Sequence, residues 1–275
     1  MFASNVYKER REALRHQIGG GLILLLGNGE ASSNYPDNTY HFRQDSSFLY
    51  FFGINHPGFA GVIDVESGED TLFGNDFTMD DIIWMGPQPS VASQAIEVGV
   101  EKSAPLAQLK QVIENAQRQG RKVHFLPPYR YANKLWLEEL TGIRVAQLAT
   151  QVSVELIKAV VALRSVKSAL EIAEIERACD IGYEMHTTAM RMCKPGVKEQ
   201  LIAGTIEGIA LAHGAGVSFP TILSMNGETL HNHYHGNFLQ EGRLMLTDAG
   251  AETNMNYCSE EKYRVIKIIN IKFKI

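Results

Sequence analysis

The chain is expected to pair an α/β amino-terminal half with an α+β second half, and three observations predict this. The first is an alternation of apolar runs and helical periodicities up to about residue 160, the pattern of a layered α/β domain. The second is a change of order after Leu163, where two long helical stretches precede β-rich segments. The third is Leu244-Met245-Leu246-Thr247-Asp248-Ala249-Gly250, an apolar run that delivers a carboxylate to its end and then turns. Such a run reads as a buried strand, and Gly250 permits a sharp turn or the close approach of a ligand.

Taken in order, Asn5 to Ile18 places Val6, Arg10, Leu14 and Ile18 on one stripe and predicts an amphipathic helix ended by Gly19-Gly20-Gly21. Leu22 to Leu26 is a continuous apolar run, as in a central strand covered on both faces. Gly27-Asn28-Gly29 could suggest a phosphate loop, but Ser32 stands where a third glycine belongs and no long helix follows. Val62 to Val65 and Thr71 to Phe73 predict a hairpin around Ser67-Gly68. Leu106 to Gln119 predicts a helix, Val123 to Leu126 a strand, and Pro127-Pro128 a break.

Val154 to Leu163 is a helix apolar on most faces, expected to bridge two domains with the boundary near Leu163. Ser168 and Glu171 form a capping box for the next helix, with Leu170, Ile172, Ile175, Ile181 and Met185 as its apolar side. Lys194-Pro195-Gly196 stops it, and Val197 to His213 is a further helix closed by Gly214. The domains are therefore expected at 1–163 and 164–275.

Length and composition bound the function classes. A chain of 275 residues suits one large or two ordinary domains, and 45% hydrophobic with 21% charged residues is globular. A net charge of −5 gives no nucleic-acid footprint. The longest apolar run, Leu22 to Leu26, is far too short to span a bilayer. Cys179, Cys193 and Cys258 are odd in number and far apart, and the charged start Met1 to Arg15 is no signal peptide. A cytoplasmic protein is expected.

Candidate chemistry gathers near Asp248. A carboxylate at a strand end can ligate a hard or borderline metal ion, though the same position suits a helix cap or turn residue. His231, His233 and His235 follow a spacing of two, which on a strand places all three on one face.

Tyr40-His41-Phe42-Arg43-Gln44-Asp45-Ser46-Ser47-Phe48-Leu49-Tyr50-Phe51-Phe52-Gly53 resembles the signature of the N-terminal domain of Xaa-Pro aminopeptidases. Leu163 to Ile172 is similar to the start of their catalytic domain, and Leu230 to Gly236 and Thr247 to Gly250 are similar to its first active-site segments. The resemblance runs from about residue 5 to Ser259. It implies a creatinase-type N-terminal α/β domain before an α+β pita-bread domain. It further implies two divalent metals, usually manganese, and hydrolysis of the bond before a proline in second position. The implied partners are a peptide substrate and further copies of the same chain.

Residue by residue, the resemblance puts the first metal-binding aspartate on Asp248 and the substrate histidine on His231, which is also the expected catalytic residue; His235, on the same expected strand face, is expected as a second substrate contact. The second family aspartate falls on Ser259 or Glu260, and Glu260 is the candidate ligand there, with Glu252 as the nearest rival to it. Residues 261–275, with five Lys/Arg against one acid, are expected to match nothing in the family, as in a truncated or frameshifted product. The expected pita-bread domain is therefore incomplete, and the activity of this chain is in question. A prolidase or creatinase-like hydrolase, or a non-catalytic relative kept for oligomerisation or peptide binding, are the alternatives.

Overall fold

The computed structural model describes residues 1–253 and 273–274. It divides into two compact units, Met1–Arg164 and Ser165–Ile275. In the first, α1 (Ser4–Arg15) leads to β1 (Leu22–Leu26), the small hairpin β2 (Ser32–Tyr35) and β3 (Asn38–Thr39), and α2 (Ser46–Phe52). Then come β4 (Ala60–Asp64), β5 (Asp70–Phe73), α3 (Met79–Met85), α4 (Val91–Glu97), β6 (Lys102–Ala104) and α5 (Leu109–Arg118). β7 (Val123–His124), α6 (Tyr131–Thr141), α7 (Val145–Gln151) and α8 (Val154–Ser165) follow.

Five strands form a mixed sheet in the order β6-β5-β4-β1-β7. β1 lies antiparallel to β4, with Leu24 opposite Val62, and parallel to β7. Its leucines alternate between two cores, because successive side chains on a strand point to opposite faces. Ile23 and Leu25 pack with Leu14, Phe48, Phe51 and Leu156, whereas Leu22 and Leu24 pack with Phe73, Leu109, Ile113 and Leu137. That double coverage is why the run is apolar at every position, and each such side chain contributes about 1.5–3 kcal/mol by burial.

The helix flanking this sheet buries Arg10 and Leu14 of its expected stripe, leaves Val6 half-buried, and is followed by buried Ile18. α1 ends at Arg15, short of Ile18, and buries Tyr7, Arg10, Arg11 and Leu14. The charged groups are taken inward because they have partners. Arg10 lies over the Tyr50 ring at 3.9 Å and donates to the Tyr50 carbonyl at 3.0 Å. Beyond β1, Asn28 is buried and donates to the Arg43 carbonyl and Tyr129 Oη, and the hairpin of β2 and β3 follows instead of a helix. Asp45 then caps α2, accepting from the Ser47 and Phe48 amides at 2.9 Å each.

The second unit begins with α9 (Ala169–Met192) and α10 (Glu199–His213) and continues through β8 (Gly216–Val217), β9 (Ile222–Ser224), β10 (Leu244–Asp248), β11 (Ala251–Glu252) and β12 (Phe273–Lys274). The expected capping box of Ser168 and Glu171 is present. The expected apolar side of α9 holds at Ile181 and Met185 but fails at its start, where Leu170 and Ile172 are exposed while Glu171 and Glu174 are buried. Further along, Ile181, Met185 and Ala189 pack with Ile202, Ile206 and Ala210 of α10 and with Leu223, Met245 and Ala249. The sheet order is β12-β10-β9, with β11 paired separately to β8. Among the described residues no single helix is long and apolar enough to cross a membrane.

Candidate functional site

β10 carries Asp248 to its end, antiparallel to β9, with Leu246, Thr247 and Asp248 opposite Ser224, Leu223 and Ile222. Met245, Leu246 and Thr247 are buried and fix the strand, leaving Asp248 half-buried at the edge of the core. The chain then turns through buried Ala249 and Gly250 into β11. There Glu252 is buried, and its backbone carbonyl accepts from the Ala215 amide at 2.8 Å.

Behind this turn stands His186 of α9, buried, with Nε2 at 3.0 Å from the Ala249 carbonyl. The carbonyl can only accept, so Nε2 carries the proton. Burial pushes the imidazole pKa below its ordinary value, against the Ala249 hydrogen bond and the Asp248 charge, and keeps the ring neutral. Sequence reading passed over His186. Its trace there is a place next to Met185, inside a stripe that reads as plain core.

The three histidines do not share a strand face, because residues 231–235 form no strand. His231 and His233 are exposed, with ring centroids 4.9 Å apart in an edge-on arrangement. His235 is half-buried, and its Nδ1 lies 3.0 Å from the Leu223 carbonyl on β9. Period-two spacing was the wrong guide here: the segment is held by hydrogen bonds to α10 and β9 rather than by a ladder.

Glu260 and Ser259 lie outside the described residues. Among the described residues, no three His, Cys, Asp or Glu side chains are grouped so as to hold a metal ion. Oxygen-ligated divalent ions need several donors to offset dehydration. The described donors around Asp248 therefore do not fit the two-metal centre that the resemblance implies.

Residues 7–153 match the family model for the aminopeptidase P N-terminal domain, and residues 173–266 match that for metallopeptidase family M24. The second match continues through residue 266, so the departure expected from residue 261 onward is not complete. The chain is 30% identical over 260 residues to Xaa-Pro aminopeptidase of Escherichia coli (strain K12), covering 90% of this chain and 58% of that protein. It is 28% identical over 254 residues to a probable Xaa-Pro aminopeptidase of Chaetomium globosum, covering 90% of this chain and 41% of that protein. The structure superposes on E. coli aminopeptidase P in its low-pH form with a TM-score of 0.77 at 26% identity, covering 92% of this chain and 60% of the other. Proline aminopeptidase P II from Yersinia pestis gives 0.76 at 25% identity, covering 92% and 61%. The chain thus spans less than two thirds of the length of these proteins.

Proposed function

The chain belongs to the aminopeptidase P family through its N-terminal domain, and from that premise we propose that it serves a metal-dependent Xaa-Pro aminopeptidase. The reaction would hydrolyse the bond between an N-terminal residue and a following proline. The observation that carries this reading is the succession, on one chain, of the aminopeptidase P N-terminal match and the M24 metallopeptidase match. In this reading His231 and His235 contact the peptide, and Asp248 is one metal-binding carboxylate, with Glu260 a second. The metal is manganese, two ions in the complete centre, and the protein works as a homo-oligomer in the cytoplasm.

The described residues contribute the substrate side of such a site. The exposed pair His231 and His233 can donate or accept hydrogen bonds to a peptide, and His235 is tied to the scaffold through Leu223. A non-catalytic peptide-binding role is the second reading, favoured by the lack of a three-donor group among the described residues.

The test uses the 275-residue chain with manganese and three peptides: Ala-Pro-Ala, Ala-Ala-Ala and Ala-Pro. Release of alanine from Ala-Pro-Ala alone supports the aminopeptidase. Binding of Ala-Pro-Ala in preference to Ala-Ala-Ala, without release, favours the peptide-binding role. Cleavage confined to Ala-Pro indicates a prolidase, and indifference to proline in both binding and release overturns the proposal.

A further inference from the structure

We propose that Glu199 is the positioning residue of the histidine segment, holding residues 226–236 closed by tying together the two points that flank them. Its functional meaning rests on the peptide-binding reading given above. Its geometry does not.

Glu199 opens α10 and is fully buried. A buried carboxylate is costly unless its lone pairs are filled, and here both oxygens are used. Oε1 accepts from the Met225 amide at 2.7 Å and from Asn237 Nδ2 at 3.2 Å. Oε2 accepts from Asn237 Nδ2 at 3.0 Å and from the Asn237 amide at 3.3 Å. Met225 and Asn237 bracket His231, His233 and His235, so one carboxylate clamps both ends of the loop.

The start of α10 reinforces the clamp. The helix has no side-chain N-cap, and its first amides would otherwise lack partners. They are taken by the same segment: the Glu199 amide donates to the Asn237 carbonyl and the Gln200 amide to the His235 carbonyl, each at 3.0 Å. The helix dipole also favours a negative side chain at this end.

The clamp has a chemical consequence at His235. Its Nδ1 faces the Leu223 carbonyl at 3.0 Å, so in the neutral ring Nδ1 carries the proton and Nε2 keeps its lone pair. A free imidazole prefers the other tautomer. Glu199 touches neither this ring nor the peptide; it acts by fixing the backbone that carries the ring.

The experiment records long-range 1H–15N spectra of the histidine rings and amide exchange in the 15N-labelled 275-residue chain. The wild-type chain should show His235 protonated on Nδ1. Glu199→Ala should move His235 toward the Nε2-protonated form and speed exchange at Met225 and Asn237 by about tenfold or more, with resonances of residues 1–164 unchanged. Glu199→Gln retains one acceptor oxygen and should fall between the two. An unchanged tautomer and unchanged exchange in Glu199→Ala, or a Gln variant no better than Ala, overturns the proposal.

Should Glu199→Ala fail to fold in residues 165–253, Asn237→Ala decides. It removes only the Nδ2 donor and should loosen the same segment by a smaller factor, whereas unchanged exchange again overturns the clamp. Adding Ala-Pro-Ala to the wild-type chain separates the two proposals. A missing shift at His231 counts against peptide binding, while the tautomer result alone decides the role of Glu199.

Discussion

Arg11 is wholly buried, and its Nε donates to Asp70 Oδ2 at 2.7 Å across the first unit. The same guanidinium donates to the carbonyls of Phe51, Val98 and Gly99 at 2.8–3.0 Å. One planar group therefore joins α1 to the end of α2, to β5 and to the turn after α4. Removing one member of a buried charge network costs about 3–5 kcal/mol; here the Phe51, Val98 and Gly99 carbonyls would lose their donor, while Asp70 keeps Arg15 at 2.6 Å. Arg11→Met should lower the stability of the chain by that amount, read from urea denaturation with an unchanged slope. Arg11→Lys should recover little, since an ammonium cannot reproduce the planar fork.

His124 supplies a pH dependence with a definite sign. It is buried, with Nε2 at 2.9 Å from the Gly20 carbonyl and Nδ1 at 2.7 Å from Ser153 Oγ. The carbonyl fixes the proton on Nε2, so Ser153 donates its hydroxyl to Nδ1 while accepting from the Leu156 amide at 3.2 Å. Burial lowers the imidazole pKa; the Gly20 bond, Glu155 and Glu66 oppose this, and Lys122 adds to it. A base with a depressed folded pKa is protonated more readily when unfolded. Its contribution is complete above the unfolded value of about 6.5 and is lost as pH falls from there toward the lower folded value. Both tryptophans, Trp84 and Trp136, lie in this unit, so their fluorescence reports its unfolding. The urea midpoint should fall between about pH 7.5 and 5.5 in the wild-type chain, and His124→Gln, less stable throughout, should show a flatter profile.

Gly53 ends α2 in the left-handed region with φ 68°. A Cβ there would lie 2.3 Å from Cζ of the buried Tyr7 ring. Gly53→Ala combines the left-handed penalty with overpacking and should cost more than about 2 kcal/mol. Gly68, at φ 78° in the turn between β4 and β5, has no atom within 4 Å of such a Cβ. Gly68→Ala should cost only the conformational part, about 1–2 kcal/mol. Equal losses in the two variants would remove Tyr7 from the account.

These residues also show what the sequence could reveal. The strand Leu22–Leu26, the turn at Gly68 and the capping box of Ser168 with Glu171 follow from local chemistry and were legible. Arg11, His124 and Glu199 were not, because each is buried by partners 26 to 104 positions away. In the sequence they look like residues of solvated faces. Leu170 and Ile172 failed for the converse reason: helical periodicity marks an apolar side, but the carboxylate of Glu171 turns back to cap the helix and is buried in its place. At the site, the position of Asp248 at a strand end was legible from the apolar run before it. The histidine segment was not, since its path is set by Glu199 and Leu223 rather than by its own spacing.

Metal binding gives the sharpest prediction about Asp248. The carboxylate is half-buried at the end of β10, and no group of three donors surrounds it among the described residues. His186 already gives Nε2 to the Ala249 carbonyl, and Glu252 belongs to the separate pairing of β11 with β8. A single carboxylate without a cage binds divalent ions in the range of about 10⁻⁴–10⁻³ M. Calorimetric titration of the 275-residue chain with manganese should give one weak event of this order, abolished by Asp248→Asn and unaffected by Glu252→Gln. Micromolar binding of two ions would mean instead that donors among residues 254–275, Glu260 first, or from a second copy of the chain complete the centre. Glu260→Gln and the dependence of affinity on protein concentration then distinguish those two sources.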